Sequence, residues 1–172
     1  MKQPIIKEAN RYLDSLGCLS YAIFECKEDL STSEILCYLA EIYRFRTPSE
    51  YNKESDKWLN QIFGPLKISK LSLDDFSFIS FSKINSKIQS YMEMPDWGVD
   101  LAIFKKNWDE VCKLIEKENL LDSKFYYINI DEIGRENLKE NHPQVQFYTY
   151  FIGLFAIDKK SQRLFVIDLS ED

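Results

Sequence analysis

Phe151 to Leu169 reads FIGLFAIDKKSQRLFVIDL, and the architecture turns on how this stretch pairs with itself. Two apolar, β-prone runs flank a polar four-residue turn, Lys159 to Gln162. With the turn there, Asp158 faces Arg163 and Asp168 faces Gly153. Facing residues share a side of the sheet, and sides alternate along a strand. Asp158 and Asp168 therefore point to opposite faces, about 17 Å apart along the ladder. A five-residue loop would put them on one face, still about 14 Å apart. Carboxylate pairs that cleave glycosidic bonds stand roughly 5 to 9.5 Å apart, so these two aspartates do not share a catalytic site. Asp158 reads as a turn acid bridged to Arg163.

The same register puts Val145, Phe147, Phe151, Phe155 and Ile157 on one face with Leu164 and Val166. Tyr148, Tyr150, Ile152, Leu154 and Ala156 share the other with Phe165, Ile167 and Leu169. A hairpin apolar on both sides is covered on both sides. N-terminal helices are expected over one face, and a helix over 107–120, or a partner, over the other.

Working outward, Pro4 suits the first position of a helix in which Ile5, Ile6, Ala9, Tyr12, Leu13 and Leu16 form a stripe ended by Gly17. LSYAIFECK (19–27) reads as a strand. Ser31 and Glu34 form a capping box ahead of a helix over 32–45. Thr47 to Glu50 repeat the device, predicting a helix over 48–63 that Gly64-Pro65 terminates. DDFSFISFS (74–82) and KFYYINI (124–130) read as strands, with a short helix carrying Ile84, Ile88 and Tyr91 between them. Asn107 is placed as the cap of the helix over 107–120, with Glu110 at its third position. Pro95 and Gly98 make 94–98 a loop. DEIGRENLKENHP (131–143) is polar and holds at most one short helix, ended by Pro143.

The resulting fold class is α+β, with N-terminal helices packed on a mainly antiparallel sheet that ends in a C-terminal β-hairpin. One domain spans 1–172, helix-rich over 1–66, mixed over 67–143 and closing with the hairpin at 145–169. The length suits one sizeable core. No run approaches the roughly 20 apolar residues of a membrane span, and the N-terminus lacks the pattern of a signal peptide; a cytoplasmic protein without membrane contact is expected. Cys18, Cys26, Cys37 and Cys112 form no CxxC pair and read as buried free thiols.

The net charge is −6, and the whole acidic excess falls after residue 71. A phosphate-binding surface needs the opposite sign, so direct nucleic-acid binding is not expected; a basic protein partner fits the charge. Five glycines leave little material for phosphate loops, and no dinucleotide fingerprint, zinc spacing or calcium loop occurs. No metal or other cofactor is implied. His142 is the single histidine, which removes multi-histidine metal sites. It lies in the polar KENHPQ stretch and reads as a solvated loop residue rather than a base.

Two groups remain. EMPDWGVD (93–100) sets Glu93, Asp96 and Asp100 around Trp97 and Met94. That combination suits a contact in which the ring is buried and the acids meet a basic partner, unless Trp97 simply anchors the loop in the core. Asp131, Glu132 and Glu136 follow a strand, where carboxylate-dependent enzymes place acids, though a solvated charged turn has the same composition. The leading expectation is a non-enzymatic acidic binding protein. In bacteria the commonest such role is an immunity protein that neutralises a cognate toxin, often a basic nuclease, by direct contact. The alternatives are a carboxylate-dependent hydrolase or nuclease built on Asp131, Glu132 and Glu136 near His142, and a regulatory subunit or homo-oligomer that uses the doubly apolar sheet as an interface.

Overall fold

A computed structural model describes residues 5–12, 17–42, 62–94, 99–133 and 149–171. Strands β1 (Ile5–Tyr12) and β2 (Gly17–Glu25) precede helix α1 (Thr32–Glu41). A small hairpin follows, β3 (Ile62–Phe63) and β4 (Leu66–Lys67), then two single-turn 3-10 helices at Ile68–Lys70 and Leu73–Asp75. Strand β5 (Ser77–Ser80) leads into α2 (Phe81–Met92) and α3 (Leu101–Lys117). Then come β6 (Lys124–Asn129), the short α4 (Ile130–Ile133), β7 (Tyr150–Asp158) and β8 (Arg163–Glu171). Among the described residues six strands form one antiparallel sheet in the order β1-β2-β8-β7-β6-β5. The α+β class and the C-terminal hairpin stand as read from the sequence.

The hairpin register is the expected one. Asp158 pairs with Arg163 and Gly153 with Asp168. Lys160 and Ser161 backbone amides and the Ser161 hydroxyl all donate to the Asp158 carboxylate. These bonds, more than Arg163, hold its carboxyl below the ordinary range, so Asp158 fixes the turn. Both faces of the hairpin are covered by this chain. Phe151, Phe155, Leu164 and Val166 pack with α1 residues Ile35, Tyr38 and Leu39 and with Phe63 and Leu66 of the small hairpin. Ile152, Leu154, Phe165 and Ile167 pack with Ile84 and Ile88 of α2 and Phe104, Trp108, Val111 and Ile115 of α3.

Local signals explain why these elements form. Ser31 and Glu34 make the expected reciprocal cap of α1: the Glu34 amide donates to Ser31 Oγ, and the Ser31 amide donates to Glu34 Oε2 at 2.9 Å. The Ser31 N–H, with help from Lys27, holds the Glu34 carboxyl down at about 2. In α3, Phe104, Trp108, Val111 and Ile115 recur at helical spacing and are all buried. Trp108 settles its one polar atom by donating from Nε1 to Asn85 Oδ1 at 2.8 Å.

Three expectations are corrected. Residues 5–12 are strand rather than helix. Their apolar spacing fits a helical stripe, but a helix of that length is marginal in water, and β2 offers an edge on which every residue from Lys7 to Tyr12 finds a partner. The helix expected over 48–63 falls largely outside the described residues, and its last two positions belong to β3. Gly64, at φ +54, turns the hairpin instead of ending a helix. Asn107 caps nothing. The helix begins at Leu101, capped by Asp100, and Asn107 is buried in its interior. Among the cysteines, Cys26 is buried, Cys112 half-buried and Cys37 exposed on α1.

Candidate functional site

The connection between α2 and α3 brings together part of the sequence-derived binding set. Glu93 is the exposed C-terminal cap of α2. Asp100 is the N-cap of α3, its Oδ1 accepting from the Ala102 amide at 3.0 Å and the Ile103 amide at 3.2 Å. This carboxylate thus satisfies two otherwise orphaned donors and sits at the positive end of a 17-residue helix. Asp96 and Trp97 lie outside the described residues. Two apolar side chains border the connection in solvent, Met94 at 48% exposure and Leu101 at 42%. Val99 packs inward against the α2–α3 core. The described part of the site is a pair of exposed apolar residues flanked by two acids and anchored to helix ends.

Beneath it lies a polar region that the sequence did not reveal. Glu171 and Tyr150 face each other across β7 and β8, and the Tyr150 ring meets Phe104 edge-on at 5.0 Å between centroids. Burial first and the charge of Asp100 second raise the Glu171 carboxyl above its ordinary value. The folded state therefore holds this proton more tightly than the unfolded chain. That contribution is complete below the unfolded pKa and is lost as pH rises through the folded one. Glu171→Gln is expected to be more stable than the parent at neutral pH, with the difference gone by about pH 3.5; urea titrations at the two pH values check it.

The alternative acidic cluster is otherwise engaged. Glu132 accepts from the Tyr127 hydroxyl at 2.6 Å through Oε1 and from Lys87 Nζ at 2.9 Å through Oε2. Asn129 Nδ2 donates to the Tyr127 oxygen at 3.2 Å, and its Oδ1 accepts from the Asp131 amide at 2.9 Å. Burial, then the Glu132 carboxylate, raises the Tyr127 phenol far above its normal value. Burial, then the charges of Glu132 and Asp131, pushes Tyr91 up to about 12. Both phenols stay protonated at neutral pH, as donors rather than bases. The arrangement ties α2, β6 and α4 together. Glu136 and His142, the remaining members of the enzyme reading, lie outside the described residues.

An open cleft of about 550 Å³ lies where the end of β2 meets the β7–β8 turn, lined by Cys26, Tyr38 and Gln162 among others. The Cys26 thiol is pushed up by burial and by Asp158, the opposite of what activates a nucleophile. Tyr38 donates its hydroxyl to the Glu25 carbonyl at 3.0 Å. Among the described residues no group of three or more His, Cys, Asp or Glu side chains is placed to hold a metal ion, and no helix is long and apolar enough to cross a membrane. Comparison of the chain with protein-family models, curated proteins and solved structures finds no match.

Proposed function

We propose that this chain is a non-enzymatic acidic binding protein of the immunity class, acting in the bacterial cytoplasm to neutralise a cognate toxin by direct contact through the α2–α3 connection. The observation that carries the reading is the exposure of Met94 and Leu101 beside Glu93 and Asp100. Apolar side chains held at helix ends supply buried area on binding, and flanking acids steer a basic surface onto them. The charge of −6 supports a basic partner such as a nuclease domain. The expected site comprises Glu93, Asp96, Trp97 and Asp100, with Met94 and Leu101 added.

The test is co-expression with the product of the adjoining gene in a bacterial host. Rescue of growth and a 1:1 complex are expected. Glu93→Lys, Asp96→Lys and Leu101→Asp should each weaken the complex by about tenfold or more. Asp100→Asn removes charge while keeping a capping oxygen, so its effect on binding is separable from folding. Growth arrest despite full expression would overturn the function. Rescue that persists with undiminished affinity in all four variants would overturn the site.

A further inference from the structure

Among the described residues the sheet ends in β1 on one side and β5 on the other, and these two edges are protected unequally. The β1 edge has a register irregularity between Ile5 and Lys7 and carries Lys7, Glu8 and Arg11 in its sequence, devices that discourage pairing with another chain. The β5 edge, Ser77-Phe78-Ile79-Ser80, has no charge, no proline and a regular register. Its one strand neighbour among the described residues is β6. Phe78 stands 53% exposed on this edge. It is the outer rung of an aromatic ladder: Phe78 lies on Tyr126 at 4.6 Å between centroids, and Tyr126 stacks on Phe155 at 4.5 Å with the planes 5° apart. Lys124 Nζ sits 5.5 Å above the Phe78 ring.

We infer that a second copy of this chain pairs antiparallel with β5, Phe78 against its counterpart, to continue the sheet across two protomers. The occupant follows from charge. Asp74 and Asp75 precede β5, while Lys124 faces Ser80 at its far end. Antiparallel self-pairing brings Asp74 and Asp75 of each copy toward the Ser80 end of the other's β5, where Lys124 of β6 lies one strand in, twice over. A two-fold axis perpendicular to the sheet keeps each face continuous, so residues of like parity face one another. Phe78 meets Phe78 at the separation of a cross-strand pair, roughly 5 Å, and the ladder runs unbroken from Phe155 to its equivalent. Four residues a side make a small contact, so the dimer is a weak, concentration-dependent one.

Sedimentation equilibrium of the full chain up to about 1 mM tests it. The parent should pass from monomer to dimer, and Phe78→Lys should raise the dissociation constant at least tenfold. Asp74→Lys and Lys124→Glu should each be monomeric when alone, and an equimolar mixture of the two should recover the dimer, because the swapped charges again complement. That recovery also shows that both variants fold. A parent that remains monomeric, a Phe78→Lys protein that associates as before, or a mixture that stays monomeric overturns the proposal. A monomeric parent whose capture of a toxin partner is nonetheless weakened by Phe78→Lys would assign the edge to that partner instead of a second copy.

Discussion

Gly153→Val should lower the unfolding free energy by about 3 kcal/mol, read as a fall in urea midpoint at constant slope. Gly153 sits mid-way along β7, paired with Asp168 on one side and Ile128 on the other. The Phe63 ring occupies the space a Cβ would need, and Ile128 Cγ2 would lie 2.9 Å from it. Phe63 and Phe151 also meet edge-on at 5.3 Å, and a Cβ on Gly64 would collide with Phe151. The small hairpin is therefore keyed onto β7 by two glycines, one on each partner. A close-packed interior has little slack for added methyl groups. The mechanism has its own check: Phe63→Leu should recover part of the loss when combined with Gly153→Val, so the two substitutions should be non-additive. Additive losses would mean the strain lies elsewhere than at Phe63.

Asn107→Leu should move stability the other way, by about 2 kcal/mol. Asn107 is fully buried in α3, and among the described residues neither its Nδ2 nor its Oδ1 has a hydrogen-bond partner. Neighbouring positions on the same helix face hold Phe104, Trp108 and Val111. Leucine matches the branching of asparagine, is the better helix former and removes the desolvation penalty of an unmet amide. A rise in urea midpoint is the expected measurement. A fall would show that the amide is satisfied in solution.

What the sequence revealed tracks how local each determinant is. The Ser31–Glu34 cap is written within four residues and was legible. So was the β7–β8 register, since turn and alternation lie within one stretch. Residues 5–12 misled because a helical stripe and an edge strand draw on the same apolar residues, and a distant ladder on β2 decides between them. At Asp100 the sequence suggests a contact acid and does not show the cap of α3. Beginning the α3 stripe at Trp108 rather than Phe104 hides that cap and makes Asn107 look like one. Glu132 was singled out for chemistry, yet its partners Lys87 and Tyr127 come from other elements. The exposure of Phe78 was illegible for a simpler reason: FSFIS is the same string at an edge or at a centre, and strand order belongs to the whole chain.

That strand order has a consequence for synthesis. β2 lies between β1 and β8, and Ser20 pairs with Asp168, roughly 150 positions later. While the ribosome is making everything before Arg163, β2 has no inner neighbour, and β7 has β6 on one side and nothing on the other. Loop-closure entropy over such a separation slows assembly, and unpaired strands invite aggregation during the wait. The two halves of the sheet cannot join until β8 emerges. Removing β8 would part β2 from β7 in the middle of the sheet, and chaperone demand in the cell should depend more on β8 than on any of the helices.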